Sequence, residues 1–162
     1  MYCTTVEDGI GMLGIVYFTL PLLIAVGTRT WPPFYWGVAV WTASGLTFAI
    51  KHLTAPFAAH LPSLLERPHG ALNCNGAAND GDQSGAPGFP SGHSATSAAF
   101  WMGAVLLAPP PWRPFVAAVG LAATAAMMWS RMRKRCHTGA QTGVGALLGA
   151  SVSYIISAAS SA

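Results

Sequence analysis

The chain has 162 residues, of which 52% are hydrophobic and 8% charged, with a net charge of +3. Soluble domains carry about a quarter charged residues, so this composition excludes a water-coated globule. The only basic cluster, residues 131–135, has no interleaved aromatics, which excludes a nucleic-acid-binding surface.

A membrane span needs about 20 mostly apolar residues. The first charge-free run covers residues 9–28, with Pro21 expected to kink it. Glu7 and Asp8 precede it where a signal peptide would be basic, and no clean cleavage site follows, so it reads as a retained span. The second run, 31–50, ends at Lys51. A polar loop, 52–89, comes next. Its Gly-, Asn- and Asp-rich part, 70–88, is expected to be mostly irregular, and 60–66 suits a short interfacial helix. Within the loop, Arg67 has two readings: a loop arginine paired with a lipid phosphate, Asp80 or Asp82, or a bidentate phosphate ligand. Taken alone, the first is preferred.

The third run, 94–108, is short and stops at Pro109-Pro110-Pro111. Just before it stands Pro90-Ser91-Gly92-His93-Ser94. A Ser-Gly pair opening a helix offers backbone N–H groups and a positive dipole end to an anion, and the adjacent histidine can move a proton near neutral pH. The plain alternative makes Ser91 an N-cap and His93 a surface residue of the first turn. The fourth run, 114–129, lies between Arg113 and Arg131, with His93, Trp112 and Trp129 as interfacial anchors for the two short spans. Arg133, Lys134 and Arg135 read as a membrane-surface patch. The fifth run is 138–162. If His137 and Gln141 begin that helix, their spacing puts them on one face. The Gln carbonyl then accepts from one imidazole nitrogen and fixes the tautomer, leaving the other nitrogen to attack. The alternative is an interfacial histidine beside an ordinary polar residue. Gly145 and Gly149, four apart, form a small-residue face for close packing within the monomer.

These readings describe an all-α integral membrane protein: one domain, 1–162, a bundle of about five transmembrane helices with a long polar loop between the second and third. Five spans fix a parity. Lys51, Arg67, Ser91, Gly92, His93, Arg131, His137 and Gln141 all fall on one membrane face. That face carries Lys51, Arg67, Arg131, Arg133, Lys134 and Arg135 against Arg29 and Arg113 opposite, and the positive-inside rule would make it cytoplasmic. Setting aside the three cations with a phosphate-binding role leaves three against two, which decides nothing.

The series Lys51, Arg67-Pro68, Pro90-Ser91-Gly92-His93 and Ser130-Arg131 with His137 after five intervening residues resembles the type 2 phosphatidic acid phosphatase superfamily. That superfamily has three motifs: Lys with Arg-Pro, Pro-Ser-Gly-His, and Ser-Arg followed by His. The resemblance runs from about Lys51 to Gly145. The first motif departs in spacing: fifteen residues separate Lys51 from Arg67 where the family usually has six, and the six-residue spacing would put His60 in the lysine's place. Lys51 with an inserted loop is preferred. Gln141 stands where bacterial members usually have Asp, and in this it resembles the dolichyl diphosphatase and glucose-6-phosphatase branches. The family commonly has six spans, one more than expected here.

The resemblance implies a mechanism. Lys51, Arg67 and Arg131 would hold phosphate oxygens, with backbone N–H groups near Ser91 and Gly92 and the Ser91 hydroxyl completing the cradle. His137 would be the nucleophile, forming a phosphohistidine, with Gln141 orienting it and His93 as general acid and base. No metal or cofactor is expected, since the histidines and cysteines lack zinc-site spacing. The expected partners are the bilayer and a lipid phosphate or polyprenyl/dolichyl diphosphate substrate, with the site on the lumenal or extracytoplasmic face. Cys3, Cys74 and Cys136 all lie on the site's face. Cys74 and Cys136 flank the site and could bridge there, but free thiols are the preferred reading. Two other functions stay open: a catalytically weak relative that binds lipid phosphate or a partner membrane protein, and, against the composition, a soluble vanadate-dependent haloperoxidase. The oligomeric state is left open.

Overall fold

The structure, a computed structural model, describes residues 6–75 and 81–160. Cys3 and the pairing of Arg67 with Asp80 lie outside the described residues. Five long helices form where the five apolar runs predict them: α1 (Val6–Thr28), α2 (Trp31–Thr54), α4 (Gly92–Leu107), α5 (Arg113–Arg133) and α6 (Gly139–Ala159). The short α3 (Pro62–Leu65) and 3₁₀ turns at Ala55–His60 and Pro110–Trp112 lie in the connections.

Local chemistry sets the helix ends. The α1–α2 turn passes through Arg29 in the left-handed region, and α2 opens with prolines in its first turn, where an N–H would lack a partner anyway. The Ser91 hydroxyl caps α4. Pro109 holds Ala108 extended and ends that helix. Despite Pro21, α1 runs unbroken from end to end.

α4 is the centre of the bundle and packs on α1, α2, α5 and α6. Its contact with α6 depends on the two glycines. A Cβ on Gly145 would strike the Ser91 carbonyl, and one on Gly149 the Ala95 carbonyl. The helices therefore meet backbone to backbone. Elsewhere on α4, Trp36 packs against Gly103 and donates its indole N–H to the Phe100 carbonyl at 2.8 Å. Tyr17, Val40, Ala43, Ala99, Phe100 and Met127 complete the buried core with Trp36.

Many large apolar side chains face outward, among them Leu23, Val26, Trp41, Leu121, Leu147 and Ile155. Three segments, Gly9–Thr28, Pro110–Arg133 and Gly139–Ala159, are long and apolar enough to cross a bilayer. The chain is thus an all-α membrane protein. The other two long helices differ. α2 carries Lys51 and His52 in its last turn. α4 has 16 residues, about 24 Å at 1.5 Å per residue.

The polar loop is more ordered than its composition predicts. No strands form among the described residues, but isolated antiparallel bridges join Glu66 to Pro87 and Leu72 to Asp82. Backbone bonds from Arg67 to Ala86 (2.8 Å), Gln83 to Ala71 (2.8 Å) and Asn73 to Gly81 (3.0 Å) fold the loop back on itself. Cys74 and Cys136 form a disulfide across 62 positions, with Cα atoms 5.5 Å apart. This corrects the free-thiol reading: loop pairing delivers Cys74 to the turn before α6, a proximity that sequence separation conceals.

Candidate active site

A cavity of about 450 Å³ opens at the end of the bundle where the loop folds over the helices. Lys51, Arg67, Asn75, Gly92, His93 and His137 form its polar side, and Met12, Ile15, Phe18 and Phe48 its apolar side. Lys51 reaches it from the last turn of α2, His93 from the first turn of α4, and His137 from the α5–α6 turn. His60, the six-residue alternative to Lys51, is exposed in the 3₁₀ turn and is not among the lining residues. No Asp or Glu is among the described residues that line the cavity. No group of three or more His, Cys, Asp or Glu suited to a metal ion occurs among the described residues.

His137 is buried, and its Nδ1 lies 3.2 Å from Gln141 Oε1. The orientation of the Gln141 amide decides the tautomer. Its Nε2 donates to the Leu64 and Glu66 carbonyls at 2.8 and 2.7 Å, while its Oε1 accepts the Thr138 N–H at 3.0 Å. Both amide hydrogens are committed, so only the oxygen can face His137. Nδ1 must then carry the proton, and Nε2 keeps its lone pair. Burial, followed by the charges of Lys51 and Arg67 and then His93, pushes the His137 pKa well below the ordinary imidazole value; the Gln141 bond pulls weakly the other way.

Gln141 meets His137 by a different route from the predicted shared helical face. The helix begins after Thr138, which leaves His137 outside it. Thr138 and Gln141 form a capping box, and the Gln141 side chain folds back over the helix start to reach both Thr138 and His137. The spacing Thr138-Gly139-Ala140-Gln141 carries that signature in the sequence.

Two predicted phosphate ligands, Ser91 and Arg131, are not among the residues that line the cavity. Ser91 is fully buried and is not among the lining residues. Its N–H donates to the Gln141 carbonyl at 3.0 Å and its hydroxyl caps α4. The N-cap reading describes it, because close packing of α4 on α6 turns it inward. Arg131 is also buried and not among the lining residues. Its Nη2 donates to the Glu7 carbonyl at 2.9 Å and its Nε to the Ser130 hydroxyl at 3.2 Å. Its guanidinium lies behind Gly11 of the cavity wall, where a Cβ would stand 2.6 Å away. The α1 start, whose backbone contact no sequence motif announces, holds Arg131 there.

The basic run after Arg131 is not simply a surface patch. Lys134 donates to the Asn73 carbonyl at 3.0 Å, Arg133 lies 3.9 Å from Glu7, and Arg135 packs against Gly70. Arg67 donates to the side-chain oxygens of Gln83 and, at 3.1 Å, Asn75. Asn75, Gln83 and Gly88 escaped the sequence reading. Gly88 is wedged between Gln141 and Arg67, where a Cβ would approach both to about 3 Å. Only the folded loop brings these three to the site.

Comparison with curated proteins and with solved structures finds no match. Comparison with protein families does: the PAP2 superfamily matches residues 32–162, from the start of α2 through all the polar residues of the cavity. The chain therefore belongs to the PAP2 superfamily, whose members are phosphatases.

Proposed function

We propose that this protein is an integral membrane phosphatase that hydrolyses a lipid phosphate or polyprenyl diphosphate through a phosphohistidine. The observation that carries this reading is the pairing, in one cavity, of a neutral His137 with an available Nε2 and the cations of Lys51 and Arg67. Such a cavity suits a phosphoryl group, and its apolar side toward α1 and α2 suits the chain attached to it.

In the first step Lys51 and Arg67 hold the phosphoryl oxygens and offset charge that grows in the transition state. Nε2 of His137 attacks phosphorus while the bond to the leaving oxygen breaks, and His93, held neutral in the free protein by burial and the neighbouring cations, gives that oxygen the proton it takes up when the phosphate anion binds beside it. In the second step His93 takes a proton from water, the resulting hydroxide displaces His137, and inorganic phosphate leaves. Arg131 adds positive potential from behind Gly11. No step calls for a metal. The Cys74–Cys136 bridge supports a lumenal or extracytoplasmic site, since disulfides persist in oxidising compartments. The dolichyl-type substrate rests on the Gln141 resemblance.

The test is phosphate release from farnesyl diphosphate and dioctanoyl phosphatidate by purified protein in EDTA. Turnover is expected, with loss in His137→Ala and in His93→Ala. Absence of turnover on both lipids alongside retained phosphate binding would instead favour the binding-only reading. The engagement of Arg131 with Glu7 is the observation on that side.

A further inference from the structure

The three sequence motifs leave the placement of Arg67 unexplained. It sits in the loop, sixteen positions from one of its side-chain partners and eight from the other. A guanidinium on a loop does not aim itself, because its side chain carries about 2 kcal/mol of rotamer entropy. Here Nη1 donates to Gln83 Oε1 and Nη2 to Asn75 Oδ1, one amide oxygen on each edge of the planar fork. Gln83 is held in register by its backbone bond to Ala71. Asn75 follows Cys74, whose disulfide partner Cys136 immediately precedes His137, and Lys134 bonds the Asn73 carbonyl two residues earlier. Cys74 and Asn75 both line the cavity. The phosphate-binding cation and the attacking histidine are thus joined by a short path, one hydrogen bond from Arg67 to Asn75 and then covalent bonds through the bridge to His137.

We propose that Asn75 and Gln83 are the positioning residues of the phosphate clamp, and that their neutral amides are required there. An amide oxygen orients a guanidinium without bringing a full negative charge beside it. A carboxylate at either position would hold Arg67 as well, or better, but would compete with the phosphate for the same cation. The Cys74–Cys136 bridge keeps the Asn75 side of this grip at a fixed distance from His137. The inference rests on the phosphatase reading and predicts a pattern that simple loop packing does not.

The test uses the near-isosteric variants Asn75→Asp and Gln83→Glu in the full oxidised protein. Readouts are inorganic phosphate binding by calorimetry, turnover of farnesyl diphosphate, and thermal unfolding. Each variant is expected to weaken phosphate binding and raise KM by at least about tenfold, the scale of one charge-assisted hydrogen bond. The unfolding temperature should be unchanged or higher, and kcat should move less than KM. Asn75→Ala, which loosens Arg67 without adding charge, should raise KM less than Asn75→Asp. Reduction of the bridge, with free thiols verified by mass, should also raise KM. Wild-type turnover together with unaltered phosphate affinity in both acidic variants overturns this proposal and leaves the phosphatase reading standing. Wild-type phosphate binding without turnover overturns the enzyme reading, and the affinity comparison still decides the clamp. If the wild type fails to bind phosphate, both fall.

Discussion

At the residue scale the site turns on how Gln141 is spent. Its oxygen serves Thr138 and His137, and its two amide hydrogens serve the Leu64 and Glu66 carbonyls. Gln141→Glu keeps an oxygen toward His137 but turns a carboxylate onto two carbonyl oxygens. We expect a stability loss of about 1–3 kcal/mol, the cost of buried groups left unsatisfied, together with lower activity; denaturation of the variant in detergent checks the first part. The depressed pKa of His137 has a definite sign in pH dependence. The folded protein refuses a proton that the unfolded chain accepts, so this contribution to stability is complete above the ordinary imidazole pKa of about 6.5 and is lost as pH falls toward the folded value. Melting temperature should fall as pH drops below about 6.5, and less steeply in His137→Asn. Equal slopes for the two proteins would contradict the assignment. The sequence made the His137–Gln141 pair legible because both residues sit near one helix start. It made Asn75 and Gln83 illegible because their partner lies across a folded loop, and it left Ser91 open between an N-cap and a phosphate ligand because only tertiary packing turns that residue inward.

At the element scale the α4–α6 contact sets the position of His93. Gly145 meets the carbonyl of Ser91, two residues before His93, and Gly149 meets the carbonyl of Ala95, two residues after it. Gly149→Ala should cost about 1–3 kcal/mol by overpacking. Gly145→Ala should also lower kcat, because it pushes on the turn that carries Gly92 and His93. Gly143, on the same helix, has open space at its Cβ position, so Gly143→Ala should be tolerated and should stabilise by up to about 1 kcal/mol. Thermal unfolding and turnover of the three variants test the ranking. The helix order was readable from charge-free runs, since a span must be apolar along its length. The loop's order was not, because Gly, Asn and Asp mark turns without saying which distant backbone groups will pair. Nor does composition tell which cysteines a fold will bring together.

For the whole molecule, the bridge ties the loop to the bundle. The chain-entropy relation for a 62-residue loop gives up to about 4 kcal/mol, and helices already confined to a bilayer reduce it. Reduction should therefore lower the melting temperature measurably in detergent. An unchanged melt after verified reduction would show that the loop is held by its backbone pairing alone.

The brevity of α4 has a consequence for how a substrate is met. A hydrocarbon slab is about 30 Å thick, several ångströms more than this helix covers, whereas the four long helices packed around it have 21 to 24 residues. We therefore expect His93, at the start of the shortest of the five, to sit below the rim those longer helices make. A pyrophosphate arm reaches into such a dimple farther than a single phosphate does. For one prenyl tail, kcat/KM should accordingly be higher for the doubly phosphorylated lipid, and the gap should narrow in thin, short-chain bilayers.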